Sequence, residues 1–155
     1  MIVVGDASVL IALERIAARA LLPRLYGEVH VPDAVWREVF SGDETTAPDW
    51  LIHHPPQKRP EPLAWTERLD AGEIEAILLA REMPADLLLI DEMAGRKVAR
   101  RLGLRVTGVI GVLLEAKHRG EIASVAEHLR RLREAGFFLS DDLEASALRD
   151  AGETV

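Results

Sequence analysis

Ile2-Val3-Val4-Gly5-Asp6-Ala7-Ser8-Val9-Leu10 sets the architecture of this chain. Ile2–Gly5 is a short apolar run of the kind that forms a strand buried on both faces, as in a parallel sheet. Asp6 ends that run and stands where a helix needs an N-cap. The helix is predicted over Ala7–Arg15, with Leu10, Ile11 and Leu13 apolar. The same order returns further on: Leu87-Leu88-Leu89-Ile90, then Asp91, then a predicted helix from Glu92 to Leu102 stopped by Gly103. Other predicted strands are Glu28–Val31, Trp50–Ile52 and Arg105–Thr107. Predicted helices cover 17–26, with Pro23 a candidate kink, 32–40, ended by Ser41-Gly42-Asp43, 70–82, 108–119, 123–135 and 140–151. Strands alternating with helices imply an α/β fold, a parallel sheet with helices on both faces. Residues 43–62 hold Pro48, Pro55, Pro56, Pro60 and Pro62 and read as a surface excursion, so residues 1–155 are expected to form one domain.

Composition narrows the chemistry. The chain has 155 residues, 48% of them hydrophobic, enough for a real core. It contains no cysteine. That excludes disulfides, zinc-thiolate sites and iron–sulfur clusters, and it fits a reducing cytoplasm. Residues 1–4 lack the basic start of a secretory signal, and no apolar run approaches a membrane span, so no membrane partner is expected. The net charge of −7 opposes non-specific nucleic-acid binding through global charge, though not through a local basic patch. No Gly-rich phosphate loop follows the first strand.

The carboxylates carry the chemical signal. Asp6 and Asp91 fall just past the ends of two predicted strands, where open α/β sheets form their ligand sites. Each also reads as a helix cap, and a cap uses one oxygen and leaves the other free. Glu92 doubles the charge beside Asp91. Glu38 lies on an amphipathic helix, where a solvated acid is the plain alternative. Glu73 completes Asp70-x-x-Glu73, a capping box that needs no further role. Taken as a set, these oxygens suit a hard cation such as Mg²⁺ or Mn²⁺, which binds a few carboxylates and keeps several waters. Such an ion acidifies a bound water and neutralises phosphate oxygens. Arg96, Lys97, Arg100, Arg101 and Arg105 follow Asp91 and read either as a solvated helix face or as a phosphate-contacting rim. Arg130, Arg131 and Arg133 read as a solvated face. His53, His54 and His118 have no metal-site spacing and read as surface residues. Trp36, Trp50 and Trp65 can stack bases, with core packing the simpler role for Trp36.

In that order, these segments resemble a PIN-domain protein, similar to the VapC-type toxin ribonucleases. Val3–Leu10 resembles the family's opening strand and first acid. Val31-Pro32-Asp33-Ala34-Val35-Trp36-Arg37-Glu38-Val39 resembles its second-acid helix, and Leu69-Asp70-Ala71-Gly72-Glu73-Ile74 its third. Leu87–Asp91 resembles the strand leading to the fourth acid. The Leu-Asp-x-Gly-Glu helix and Thr107-Gly108-Val109-Ile110-Gly111-Val112-Leu113 are similar to a less characterised prokaryotic PIN-like branch. Glu73 stands where the family more often has Asp, and Leu89 where it often has Thr or Ser.

The resemblance implies a three-layer α/β/α sandwich with a parallel sheet of about five strands, the first and fourth adjacent. It implies a Mg²⁺- or Mn²⁺-dependent ribonuclease with Asp6, Glu38, Glu73 and Asp91 as catalytic and metal-binding residues. Ser8 and Glu92 would tune their surroundings, and Arg96, Lys97 and Arg100 would contact RNA. It further implies the toxin of a type II toxin–antitoxin pair, a cognate antitoxin, and a homodimer joined through helices near the N-terminus or around Val109–Leu114. Two other readings stay open: a PIN-fold binding module with weak or lost chemistry, and a receiver-like phosphoacceptor domain.

Overall fold

Alternation within two central strands builds the layers. Val3 and Leu89 face one side of the sheet; Val4, Leu88 and Ile90 face the other. The structure, a computed structural model, describes residues 1–41, 47–56, 66 and 68–154. Its strands are β1 (Val3–Gly5), β2 (Val29–Pro32), β3 (Leu51–His54), β4 (Leu87–Leu89) and β5 (Val106–Thr107). All pair in parallel in the order β3-β2-β1-β4-β5. Val3 pairs with Leu87 and Gly5 with Leu89, which makes β1 and β4 neighbours.

Helices cover both faces, giving the three-layer α/β/α sandwich. On the Val3 side lie α1 (Ala7–Arg15), α2 (Leu21–Tyr26), α3 (Asp33–Phe40), α6 (Val109–His118), α7 (Val125–Glu134) and α8 (Asp141–Asp150). Their core includes Leu10, Leu13, Leu22, Leu113 and Leu129, all at most 1% exposed. On the Val4 side lie α4 (Ala71–Glu82) and α5 (Met93–Arg101), with Ile77, Ala80 and Ala99 buried. Val109, Val112 and Leu113 of α6 are spent inside this core. Among the described residues no helix is long and apolar enough to cross a membrane.

Local chemistry moves several boundaries. The predicted helix from residue 17 starts only at Leu21, because Ala17 adopts a positive φ of 56° as the chain leaves α1. Pro23 then falls in the first turn of α2, where its missing N–H leaves no bond unmade, so it does not kink the helix. β3 runs to His54 because Val29–Pro32 offers four partners in register. Helix α3 stops at Ser41, itself left-handed at φ 45°; Gly42, Asp43 and Trp65 lie outside the described residues.

Candidate active site

Strand order reverses between β1 and β4, and the acids gather at the carboxyl end of that seam. The Asp6 N–H still donates to the Leu89 carbonyl at 2.8 Å, so Asp6 is fixed by the last rung of the ladder. It is 4% exposed. Asp6 is the N-cap residue of α1, as expected, although its side chain makes no regular capping bond to the helix. Instead the Ser8 hydroxyl donates to Asp6 Oδ2 at 3.1 Å and accepts the Asp91 N–H at 3.2 Å. Ser8 thus ties the acid after β1 to the chain after β4.

The third acid plays two parts. The capping box at α4 is complete: Glu73 N–H donates to Asp70 Oδ1 at 2.8 Å, and Asp70 N–H donates to Glu73 Oε1 at 3.1 Å. Glu73 Oε2 is buried with no hydrogen-bond partner. An ordinary carboxylate oxygen is not left so, because an unpaired buried polar atom is costly. A Cβ on Gly95 would stand 2.7 Å from that oxygen and 2.6 Å from Ile90 Cδ1. Only glycine leaves room for the Glu73 carboxyl there.

The remaining acids close the ring. Glu38 reaches in from α3, and Asp91 stands at the seam itself. A Cβ on Gly72 would lie 3.3 Å from Glu38 Oε2, 3.4 Å from Asp70 Oδ1 and 3.5 Å from Asp6 Oδ1. Three carboxylates from three segments therefore surround one point. Asp91 Oδ1 accepts the Val109 N–H at 3.4 Å, and a Cβ on Gly108 would sit 2.1 Å from it. Asp6, Glu38, Asp70, Glu73, Asp91 and Glu92 all line one pocket of about 560 Å³. Asp70 is the site residue that the sequence reading treated only as a cap; the acidic density of Asp70-x-x-Glu73 was the available signal.

Burial raises the proton affinity of the acids. Asp6 is pushed up to about 6, chiefly by burial, against the lowering effect of the Ala7 and Ser8 N–H groups and the Ser8 hydroxyl. Glu73 is pushed up to about 7 by burial, helped by the charge of Asp70. Glu38 is raised by lost hydration and then by Asp70. Asp91 is raised by lost hydration despite the Val109 N–H and Arg96. Four raised carboxylates in one pocket make it a candidate functional site on physical grounds.

The donor set fits a hard divalent cation: oxygen ligands only, mutual repulsion, and a buried oxygen without a partner. Among the described residues no three His, Cys, Asp or Glu side chains already stand as an ion-holding group. The acids ring the pocket rather than forming a finished cage, an arrangement suited to Mg²⁺, which retains waters between itself and protein. Arg96 leans toward the acids, 4.0 Å from Asp91 Oδ1 and 3.5 Å from the Ile90 carbonyl. Arg96, Lys97 and Arg100 line an adjoining pocket with Asp91 and Gly108; Arg101 and Arg105 line neither of these two pockets. Arg130, Arg131 and Arg133 are engaged with Glu127, Glu134 and Glu144 across a surface of helices. Trp36 is core, stacked on His53. His54 is half-buried rather than on the surface, its Nε2 2.8 Å from His30 Nδ1.

Residues 2–153 match a family model, DUF3368, described as a PIN domain. The chain belongs to the PIN-domain family. PIN domains are a family of nuclease folds. The PIN fold here is similar to a PilT N-terminus domain protein from the hyperthermophilic archaeon Sulfolobus solfataricus P2, with a TM-score of 0.53 and 19% identity over 90% of this chain and 98% of that one. At that identity the likeness concerns fold. No curated protein matches the chain.

Proposed function

We propose that this PIN domain is a divalent-metal-dependent endoribonuclease that hydrolyses RNA phosphodiesters. One observation carries the reading: acids from four separate segments converge on one pocket, and one of them, Glu73, keeps a buried oxygen without a partner. Asp6, Glu38, Glu73 and Asp91 would hold Mg²⁺ or Mn²⁺, directly or through water, with Asp70 added to the set. When bound, such an ion supplies an acidified water and neutralises charge on the phosphate. The protein's own part is positioning. Ser8 fixes the Asp6 carboxylate against the seam, and the capping box holds Glu73 Oε1 at the start of α4. Glu92 adds negative charge at the rim. Arg96, Lys97 and Arg100 would take the RNA backbone beside the acids.

A place as the toxin of a type II toxin–antitoxin pair, in the cytoplasm and as a homodimer, extends this proposal. It requires a partner protein that blocks the pocket. A second reading is favoured by the absence, among the described residues, of a ready-made ion-holding group: a PIN-fold nucleic-acid-binding module without chemistry. Calorimetry with Mn²⁺ and Mg²⁺, wild type against Asp6→Asn and Asp91→Asn, joined to an RNA cleavage assay, separates the two. Carboxylate-dependent binding with cleavage supports the nuclease. RNA binding without cleavage in any divalent metal supports the module.

A further inference from the structure

The pocket that holds the acids has a second half, and its residues are aromatic, aliphatic and cationic. One face of α1 runs through it: Ser8 beside the acids, then Ile11, Ala12 and Arg15. Seven residues of helix place Arg15 about 10 Å from Ser8. Facing Arg15 is the connection between α7 and α8, which brings Phe137, Phe138 and Leu139 to the same pocket. Gly136, at φ 96°, turns the chain out of α7. Phe137 and Leu139 then pack against the core on either side of Phe138. The Phe137 N–H donates to the Leu132 carbonyl at 3.0 Å, and Arg133 Nη2 donates to the Leu139 carbonyl at 3.0 Å. Arg15 lies 5.5 Å above the Phe137 ring.

Phe138 itself is 90% exposed, the most exposed large hydrophobic side chain among the described residues. It is anchored on both sides yet covers nothing. A fixed, uncovered aromatic face beside a cation and a carboxylate pocket has the chemistry of a stacking platform. Every nucleobase offers a π-face to such a ring, and Arg contributes to stacking sites of this kind.

We propose that Phe138 is the stacking platform for an unpaired nucleobase of the RNA whose phosphodiester is held at the acids. The inference rests on the ribonuclease reading for its ligand, and what it adds is the residue that takes the base. A base in a duplex is already stacked and paired, and presents no free face to Phe138.

The test is binding of a short random-sequence single-stranded RNA pool and of a duplex of equal length, in Ca²⁺ in place of Mg²⁺, by wild type, Phe138→Ala and Phe138→Trp. Because the side chain covers nothing, its truncation removes no packing. Phe138→Ala should weaken single-strand binding about tenfold, the weight of one stacked base. Phe138→Trp should retain it, and duplex binding should not move. A 2-aminopurine base in the bound strand should be quenched by wild type and not by Phe138→Ala. Equal losses on both RNAs, or no loss, overturn the proposal. So does a wild-type dimer that Phe138→Ala dissolves, which makes Phe138 a subunit contact. Cleavage in Mn²⁺ is scored separately. Wild type that binds but never cuts sinks the nuclease reading while the binding ratio still judges the platform; wild type that binds no RNA overturns the platform.

Discussion

Asp6 and Asp33 follow neighbouring strands at the same edge of the sheet, and both are buried, at 4% and 9% exposure. Their surroundings are opposite. Asp33 Oδ2 meets Arg37 Nε at 2.8 Å, and Oδ1 meets His53 Nε2 at 2.8 Å. His53 is in turn held flat against Trp36, centroids 4.6 Å apart. Asp6 has a hydroxyl for company and acids around it. The β2/β3 half of the edge pairs its acid with cations of its own, whereas the β1/β4 half gathers acids around its buried aspartate, the half to which the proposed reading assigns a cation from outside. Two equally buried carboxylates are thus told apart by their partners alone.

The largest expected effect separates the two aspartates. Asp6→Asn should abolish Mn²⁺ binding and RNA cleavage, and should leave the metal-free protein as stable as wild type or more so. Asp33→Asn should do the reverse: metal binding and cleavage unchanged, stability lower by about 1–2 kcal/mol through loss of charge-assisted hydrogen bonds. Calorimetric titration and urea unfolding of both variants check this. If Asp33→Asn also removed metal binding, the division of the edge into two regions would be wrong.

pH sharpens the contrast in the metal-free protein. Asp6 and Glu73 titrate higher in the fold than in the unfolded chain. Between about pH 4 and pH 7 the native state therefore holds protons that the unfolded state has released, so stability falls as pH rises through that window. The Asp6 shift alone, from 3.8 to about 6, is worth on the order of 2–3 kcal/mol. Unfolding midpoints measured in EDTA should drop across this range, and Mn²⁺ should restore them near neutral pH. A midpoint that rises with pH in EDTA would mean the acids are compensated by something other than protons.

How much of this was readable beforehand follows the same division. Asp6 and Asp91 were legible because each ends an apolar run, a pattern in which sequence and geometry coincide. The strand–helix alternation gave the layers for the same reason. Glu73 and Glu38 drew their weight from family resemblance, since neither position is distinctive by itself. The capping box at Asp70 was correctly expected, yet its second consequence was not. A cap is a local motif, whereas the convergence of Asp70 with Asp6 and Glu38 around Gly72 depends on helices distant in sequence. Of the histidines expected at the surface, His53 and His118 are exposed, while His54 is half-buried against His30. Their order comes from the β2/β3 register, which opposes His30 to Ile52 and Pro32 to His54 and is invisible in the chain alone.

The glycines offer a smaller, geometric probe. Gly95→Ala would place a methyl 2.7 Å from Glu73 Oε2 and 2.6 Å from Ile90 Cδ1. Overpacking of this kind costs typically about 1–3 kcal/mol. It should also weaken Mn²⁺ binding, because relief requires Glu73 to move. Gly27→Ala, with nothing within 4 Å of the added Cβ but φ at +75°, is the control for strain without crowding. It should lower the unfolding midpoint and leave metal affinity alone. Metal affinity reduced equally in both would show that Glu73 is not placed by Gly95.

The smallest effect has the most instructive sign. Arg96 is the one cation within ion-pair reach of the pocket acids among the described residues, at 4.0 Å from Asp91 with 26% and 42% of the two side chains exposed. A pair that open contributes about 0.2–1 kcal/mol at most, so Arg96→Ala should scarcely change stability. What it changes is competition. Arg96 neutralises part of the field that a divalent ion would feel, and it also offers RNA a phosphate contact. Removing it should tighten Mn²⁺ binding a few-fold, by roughly the Coulomb energy of that one exposed charge, and loosen RNA binding. The two shifts must be opposite if the arginine stands between the acids and the substrate as the geometry has it. If metal and RNA binding weakened together, Arg96 would belong to the ion site itself, and the uncompensated half of the sheet edge would be one acid smaller.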